Sequence, residues 1–251
     1  MYNIKIIETN DKIEIWRYEM PIHNNYSMTD FENNNKQRRK YEDLSYSEKV
    51  DSFKRKSKYY QERKHDIRRL IEMNYKVYET KFVTLTFRDH VEDVAEANNL
   101  FKKFIMRLKY KLGKDIKYIA VWERTKKNRI HYHLIIFDLK YMKWEELERV
   151  WKHGYIKIND VSHVERKNIG RYISKYFAKD LDVKDMHKKA FFTSRNLKKP
   201  KKITLQSQEE LKNLIDISNK SYSTKYLRTS KVDDDFIDTE VEYMIIEKDT
   251  K

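Results

Sequence analysis

Alternation of apolar and polar positions opens the chain. Tyr2 to Ile7 and Lys12 to Tyr18 each repeat with a period of two, as half-buried strands do, and the turn-rich Thr9-Asn10-Asp11 joins them into a predicted hairpin. Pro21 and Asn24-Asn25 are expected to end it. From about Tyr41 to Tyr78 turn chemistry is nearly absent, and Val50, Phe53, Ile67, Leu70, Ile71 and Tyr75 recur at spacings of three and four, which predicts one or two helices. Lys81 to Arg88 then reads as a strand. The periodicity switches to a helix from about Val91 to Leu112, whose Leu100, Phe101, Phe104, Ile105 and Leu108 share a face and which Gly113 stops.

Two further strands, Lys117 to Glu123 and Ile130 to Phe137, flank the polar turn Arg124 to Arg129. A short helix over Trp144 to Trp151, a short strand over Tyr155 to Ile158 and a helix over Asn168 to Lys179 complete the regular part. The order β, α, β, β, α, β, α belongs to an antiparallel sheet covered by helices, so the fold class is α+β with the ferredoxin-like, RRM-like layout. The expected organisation is an N-terminal hairpin and basic helical segment over residues 1–78 packed on the core, a core over 79–185, and a basic stretch with an acidic tail over 186–251. No internal repeat is visible.

Composition narrows the class of partner. Among 251 residues there are 55 Lys and Arg against 40 Asp and Glu, giving +15 and a polyanion as the expected partner. The apolar share of 39%, with 19 Tyr, 11 Phe and 4 Trp, suffices for a core and excludes wholesale disorder. Absence of cysteine excludes disulfides, thiolate zinc sites and Cys nucleophiles. Charges through the first 16 residues exclude a signal peptide, and no run reaches a membrane span, so a cytoplasmic protein with no membrane partner is expected. With 3 Gly and no GxxxxGK[ST], no Walker-type ATPase is encoded and no nucleotide cofactor is expected.

Charge is also unevenly placed. Lys36 to Lys81 holds 15 basic and 8 acidic residues, either a solvated helix face or a surface for backbone phosphates. His187 to Lys202 carries seven Lys and Arg and no acid, whereas Lys231 to Lys251 has eight acidic and three basic residues. That last stretch reads equally as a disordered tail, a competitor for a DNA surface or a partner-binding strand over Val241 to Ile246.

Two groups carry chemistry. In a strand, His131 and His133 project from one face while Tyr132, Leu134 and Ile136 face the other way. If the hairpin turns near Lys127, Glu123 lies opposite His131, where cross-strand Cβ atoms sit about 4.5–5.5 Å apart. Two imidazoles and a carboxylate make a three-ligand site with open positions, suited to Mn²⁺ or Mg²⁺ and open to zinc. On the helix, Tyr172, Lys175, Tyr176 and Lys179 form one stripe beside the apolar Ile169, Ile173 and Phe177. Nearby cations favour the phenolate over the phenol and balance charge on a phosphate; the alternative is an ordinary amphipathic helix with Tyr at the core boundary.

Taken together the groups resemble the rolling-circle replication initiators of the HUH endonuclease superfamily, the two-tyrosine type of bacterial plasmids and single-stranded DNA phages. The family's three motifs are similar, in order, to Phe82-Val83-Thr84-Leu85-Thr86-Phe87, to Ile130 through Phe137, and to the Tyr-x-x-Lys-Tyr-x-x-Lys of Tyr172, Lys175, Tyr176 and Lys179. Segments Trp151 to Ile158 and Thr193 to Pro200 are also similar to plasmid-type members. The resemblance implies a site-specific endonuclease and strand transferase in which His131, His133 and Glu123 hold Mn²⁺ or Mg²⁺, Glu123 being the least fixed of the three. It implies Tyr172 or Tyr176 as nucleophile, forming a 5′-phosphotyrosine link and a free 3′-OH, with Lys175 and Lys179 balancing charge.

Single-stranded or hairpin origin DNA is the implied substrate, with Arg195, Lys198 and Lys199 as DNA contacts; Thr84 and Thr86 share one strand face and read equally as lining the DNA groove or as ordinary β-formers. A host polymerase and a host helicase are the implied partners. The rival readings are a relaxase or two-tyrosine transposase using the same chemistry, and a non-catalytic RRM-like nucleic-acid-binding module.

Overall fold

The structure is a computed structural model that describes residues 1–22, 43–159, 161–164, 168–171, 191–232 and 235–248. In chain order its elements are β1 (Tyr2–Glu8), β2 (Lys12–Ile22), α1 (Tyr46–Asn74), β3 (Lys81–Phe87), α2 (Val94–Leu112), β4 (Lys117–Arg124), β5 (Ile130–Phe137), α3 (Trp144–Trp151), β6 (Gly154–Asn159), β7 (Phe191–Thr193), β8 (Lys201–Leu205), α4 (Gln208–Leu214), β9 (Tyr222–Val232) and β10 (Asp235–Glu247). Two compact units result, Lys54–Lys199 and the pair of segments Met1–Phe53 with Pro200–Lys251.

In the unit Lys54–Lys199 the sheet order is β6-β3-β5-β4-β7, antiparallel throughout. The α+β class and the β-α-β-β-α-β run read from the sequence are what the chain adopts. One face is covered by α2 and α3. Asp93 caps α2 by accepting from Ala95 N at 2.9 Å, its buried Val94, Ala97, Phe101, Phe104, Ile105 and Leu108 seat it on the sheet, and Gly113 ends it at φ 63°. From the sheet, Val83, Leu85, Ala120, Trp122, Tyr132, Leu134 and Ile136 meet that helix.

Among the described residues, those packed on the opposite face lie at one end of it. Ile67 and Ile71 of α1, with Tyr75, Ile169 and Leu197, pack on Phe82, Ile119, Val121, Ile135 and Phe137. Apolar residues therefore occupy one end of this face, while Thr84, Thr86, His131, Glu123, Tyr155 and Lys157 occupy the other, a division set by where the strand sequences turn polar.

The other unit has a sheet of order β8-β1-β2-β10-β9, again antiparallel, with Ile4, Ile6, Ile15, Met244 and Ile246 buried under Leu211 of α4. The acidic segment that the sequence left open between tail and strand forms β10, paired with β2 from Val241↔Tyr18 to Glu247↔Lys12. β2 also runs through Pro21 to Ile22: the β1–β2 register shifts there, so the N–H that proline lacks costs no ladder bond.

Candidate metal centre

The site rests on a hairpin whose register is fixed by its turn. Thr125 N donates to Arg129 O at 2.9 Å, Asn128 N donates to Thr125 O at 2.9 Å, and Asn128 takes φ 60°, a conformation its short polar side chain tolerates. That turn sets Glu123 opposite His131 and Val121 opposite His133, as the spacing predicts. His131 and His133 thus share a face with Glu123, while Tyr132 points into the core on the other side and donates to Asn98 Oδ1 at 2.6 Å.

Both imidazoles converge on one oxygen. His131 Nε2 and His133 Nε2 each hydrogen-bond Glu123 Oε1, the second at 2.8 Å. One ligand atom from each of the three residues lies within 4.8 Å of the other two, the arrangement a single cation needs. All three side chains are largely sequestered, with 12–15% of their surface accessible. Burial works to raise the Glu123 carboxyl, but the hydrogen bonds and charges of His131 and His133 outweigh it and hold the acid well below the ordinary carboxylate range. An ionised carboxylate and imidazole nitrogens turned inward are a donor set that fits a borderline or hard divalent ion.

β3 supplies support that sequence reasoning did not assign. Thr84 stands directly across from His133 and its Oγ1 lies 3.2 Å from His133 Nδ1. A hydroxyl both donates and accepts, so it serves the imidazole whichever nitrogen carries the proton. When Nε2 is a metal ligand, Nδ1–H donates to Thr84; when Nε2–H donates to Glu123, Thr84 donates to Nδ1. Phe82 lies parallel to the His133 ring, centroids 5.8 Å apart, and restrains it. The signal for this role is the alternation that puts Thr84 and Thr86 on one strand face, which the sequence left open between lining a DNA groove and ordinary strand formation.

The remaining candidates divide. Thr86 lies across from His131 on the same face. Arg195, Lys198 and Lys199 are exposed and lie just beyond β7. The catalytic candidates Tyr172, Lys175, Tyr176 and Lys179 lie outside the described residues; residues 168–171, immediately before them, are helical.

Comparison with known proteins shows what a chain carrying this antiparallel α+β domain and its paired-histidine and carboxylate cluster is similar to: Rep-type replication proteins. Residues 80–181 match the family model of the replication-associated protein ORF2. The chain is 28% identical over 178 residues to the Phasyl DNA replicon protein arp of Escherichia coli, across 59% of this chain and 60% of that protein. It is 28% identical over 130 residues to the Replication-associated protein ORF4 of Chlamydia phage 1, across 42% of this chain and 33% of that protein. The matches therefore span less than two thirds of either relative. No solved structure matches the chain. The resemblance to rolling-circle initiators read from the sequence is borne out, and the matched stretch contains Thr84, Glu123, His131, His133 and the four catalytic candidates.

Proposed function

We propose that this chain is a rolling-circle replication initiator that cuts and rejoins single-stranded origin DNA by tyrosine transesterification. The observation that carries the reading is the convergence of Glu123, His131 and His133 on one point of one sheet face, inside the stretch similar to replication-associated proteins. A divalent ion held there supplies Lewis-acid polarisation of the scissile phosphate when bound. Glu123, His131 and His133 fix where that phosphate sits, and Thr84 and Phe82 fix His133.

Tyr172 or Tyr176 is the proposed nucleophile. Its phenolate oxygen bonds to phosphorus, the bond from phosphorus to the 3′ oxygen breaks, and that oxygen takes up a proton equivalent to the one the phenol lost. The products are a 5′-phosphotyrosine link and a free 3′-OH for a host polymerase, and the retained ester energy permits the reverse step at termination. Lys175 and Lys179 would balance the charge on phosphate or phenolate. Thr86, Arg195, Lys198 and Lys199 are proposed contacts to the strand, and a host helicase is the proposed source of unwinding. Exposed cations flanking a strand-bearing face suit a polyanion.

The test incubates a single-stranded oligonucleotide spanning the nick site with the protein and Mn²⁺ or EDTA, followed by a denaturing gel. A covalent band that needs metal, survives either Tyr172→Phe or Tyr176→Phe and vanishes in the double variant is expected. No band in the presence of demonstrated binding overturns the reading in favour of a non-catalytic binding module.

A further inference from the structure

On the edge strand β6, Tyr155 and Lys157 are spaced two residues apart and so project from one face. Their register identifies which face. Tyr155 pairs with Thr86, which pairs with His131 on the far side; Lys157 pairs with Thr84, which pairs with His133. Both side chains therefore stand on the metal-ligand face, two strands away from the histidines. Ile156 and Ile158, between and after them, pack against the core on the other side, as the alternation requires.

A single exposed aromatic residue needs no explanation by itself. Tyr155 differs in its company. It is 62% exposed on an otherwise regular strand, with an exposed lysine beside it and the candidate metal centre on the same surface. Its backbone is held firmly: Gly154 pairs with Phe87, and Arg88 N donates to His153 O at 2.8 Å, so the ring is presented by a fixed strand rather than a loop.

Strand spacing gives the distance that matters. Two steps of about 4.8 Å separate the β5 and β6 backbones, so Tyr155 lies about 10 Å from His131 across the sheet. Stacked nucleotides advance about 3.4 Å each and unstacked ones more, so at most about three nucleotides of a strand fit between a phosphate at the histidines and a base at Tyr155. An aromatic face with a cation two residues away is the chemistry that holds an unpaired nucleobase and its phosphate.

We propose that Tyr155 and Lys157 form a nucleotide subsite of the initiator, the ring stacking on an unpaired base within three nucleotides of the scissile phosphate and the ammonium group meeting the adjoining backbone. This rests on the reading of the metal centre as a site for single-stranded DNA, and it assigns the position of the strand relative to the sheet: the strand crosses β3 towards β6. Because every base has a π-face, the subsite sets register on the strand without selecting a base.

Fluorescence anisotropy of a labelled single-stranded dodecamer of thymidine in EDTA tests this on the 251-residue chain, since binding without metal separates the subsite from the chemistry. Tyr155→Ala is expected to weaken binding about five-fold to a hundred-fold, the range for loss of one base stack, whereas Tyr155→Phe keeps wild-type affinity. Lys157→Gln is expected to lower the slope of log affinity against log salt by about one. With wild-type protein, a dodecamer carrying abasic sites throughout should lose at least the factor that Tyr155→Ala loses, and the variant should distinguish the two strands less.

Equal affinity of wild type and Tyr155→Ala overturns the subsite, and the covalent-adduct gel then shows separately whether the initiator reading stands. Tyr155-dependent binding without any adduct supports the subsite and overturns the chemistry. A wild-type protein that binds no single strand overturns both.

Discussion

Thr84 contributes through the ring it holds. With its hydroxyl 3.2 Å from His133 Nδ1, it keeps the Nε2 lone pair aimed at the cluster. Thr84→Val preserves shape and removes the hydrogen bond, so Mn²⁺ affinity measured by titration calorimetry is expected to fall about ten- to a hundred-fold, while Thr84→Ser holds it. His153 makes a separate prediction. Burial first, then the charges of Arg107, Lys103 and Lys152, push its imidazole below the ordinary value, and its buried Nε2 has no hydrogen-bond partner among the described residues. The unfolded chain therefore binds this proton more readily than the folded one, so His153 lowers stability as pH falls below about 6.5. A His153→Gln variant should show a flatter dependence of Tm on pH below about 6.5 than wild type. At this scale the ligands are legible because strand period and hairpin register are local: His131 and His133 are two apart, and Glu123 lies eight residues before His131. Thr84 is 49 residues from His133, and no local rule pairs them.

At the scale of elements, two glycines with positive φ separate conformational cost from steric cost. Gly113 ends α2 at φ 63° with nothing within 4 Å of an added Cβ, so Gly113→Ala should cost about 1 kcal/mol in urea unfolding. Gly154 opens β6 at φ 151°, where a Cβ would meet Thr86 O at 2.3 Å, so Gly154→Ala should cost about 3 kcal/mol or more and spread β6 from β3. Elements with strong apolar periodicity are readable, since α2, α3 and β5 each bury a continuous face. β9 and β10 are not. Their outer positions carry Lys225, Thr229, Asp238 and Glu240, which meet each other across the ladder, Lys225 to Glu240 at 2.6 Å and Thr229 to Asp238 at 2.6 Å. Read along the chain, the same residues are simply an acidic stretch after a basic one.

Over the whole molecule, the unit Lys54–Lys199 buries two apolar clusters, one on each sheet face, while in the other unit a cluster with Ile4, Ile6 and Ile15 is completed by Met244 and Ile246. Ending the chain after residue 232 removes both, at about 2–5 kcal/mol for each large side chain lost from a core. Hydrogen exchange should then show β1 and β2 unprotected while β3, β4 and β5 keep their protection. The β2–β10 pairing also imposes an order in time. Arg17 and Glu242 meet at 2.8 Å although they are 225 residues apart. At about 5–20 residues per second a ribosome takes about 11–45 seconds to travel between them. For most of that interval the β1–β2 hairpin waits with an open β2 edge, and the stretch Lys54–Lys199 is completed before β10 is made. Glu14, Arg17 and Glu19, placed along β2, are charges of the kind that keep a waiting edge from joining another nascent chain.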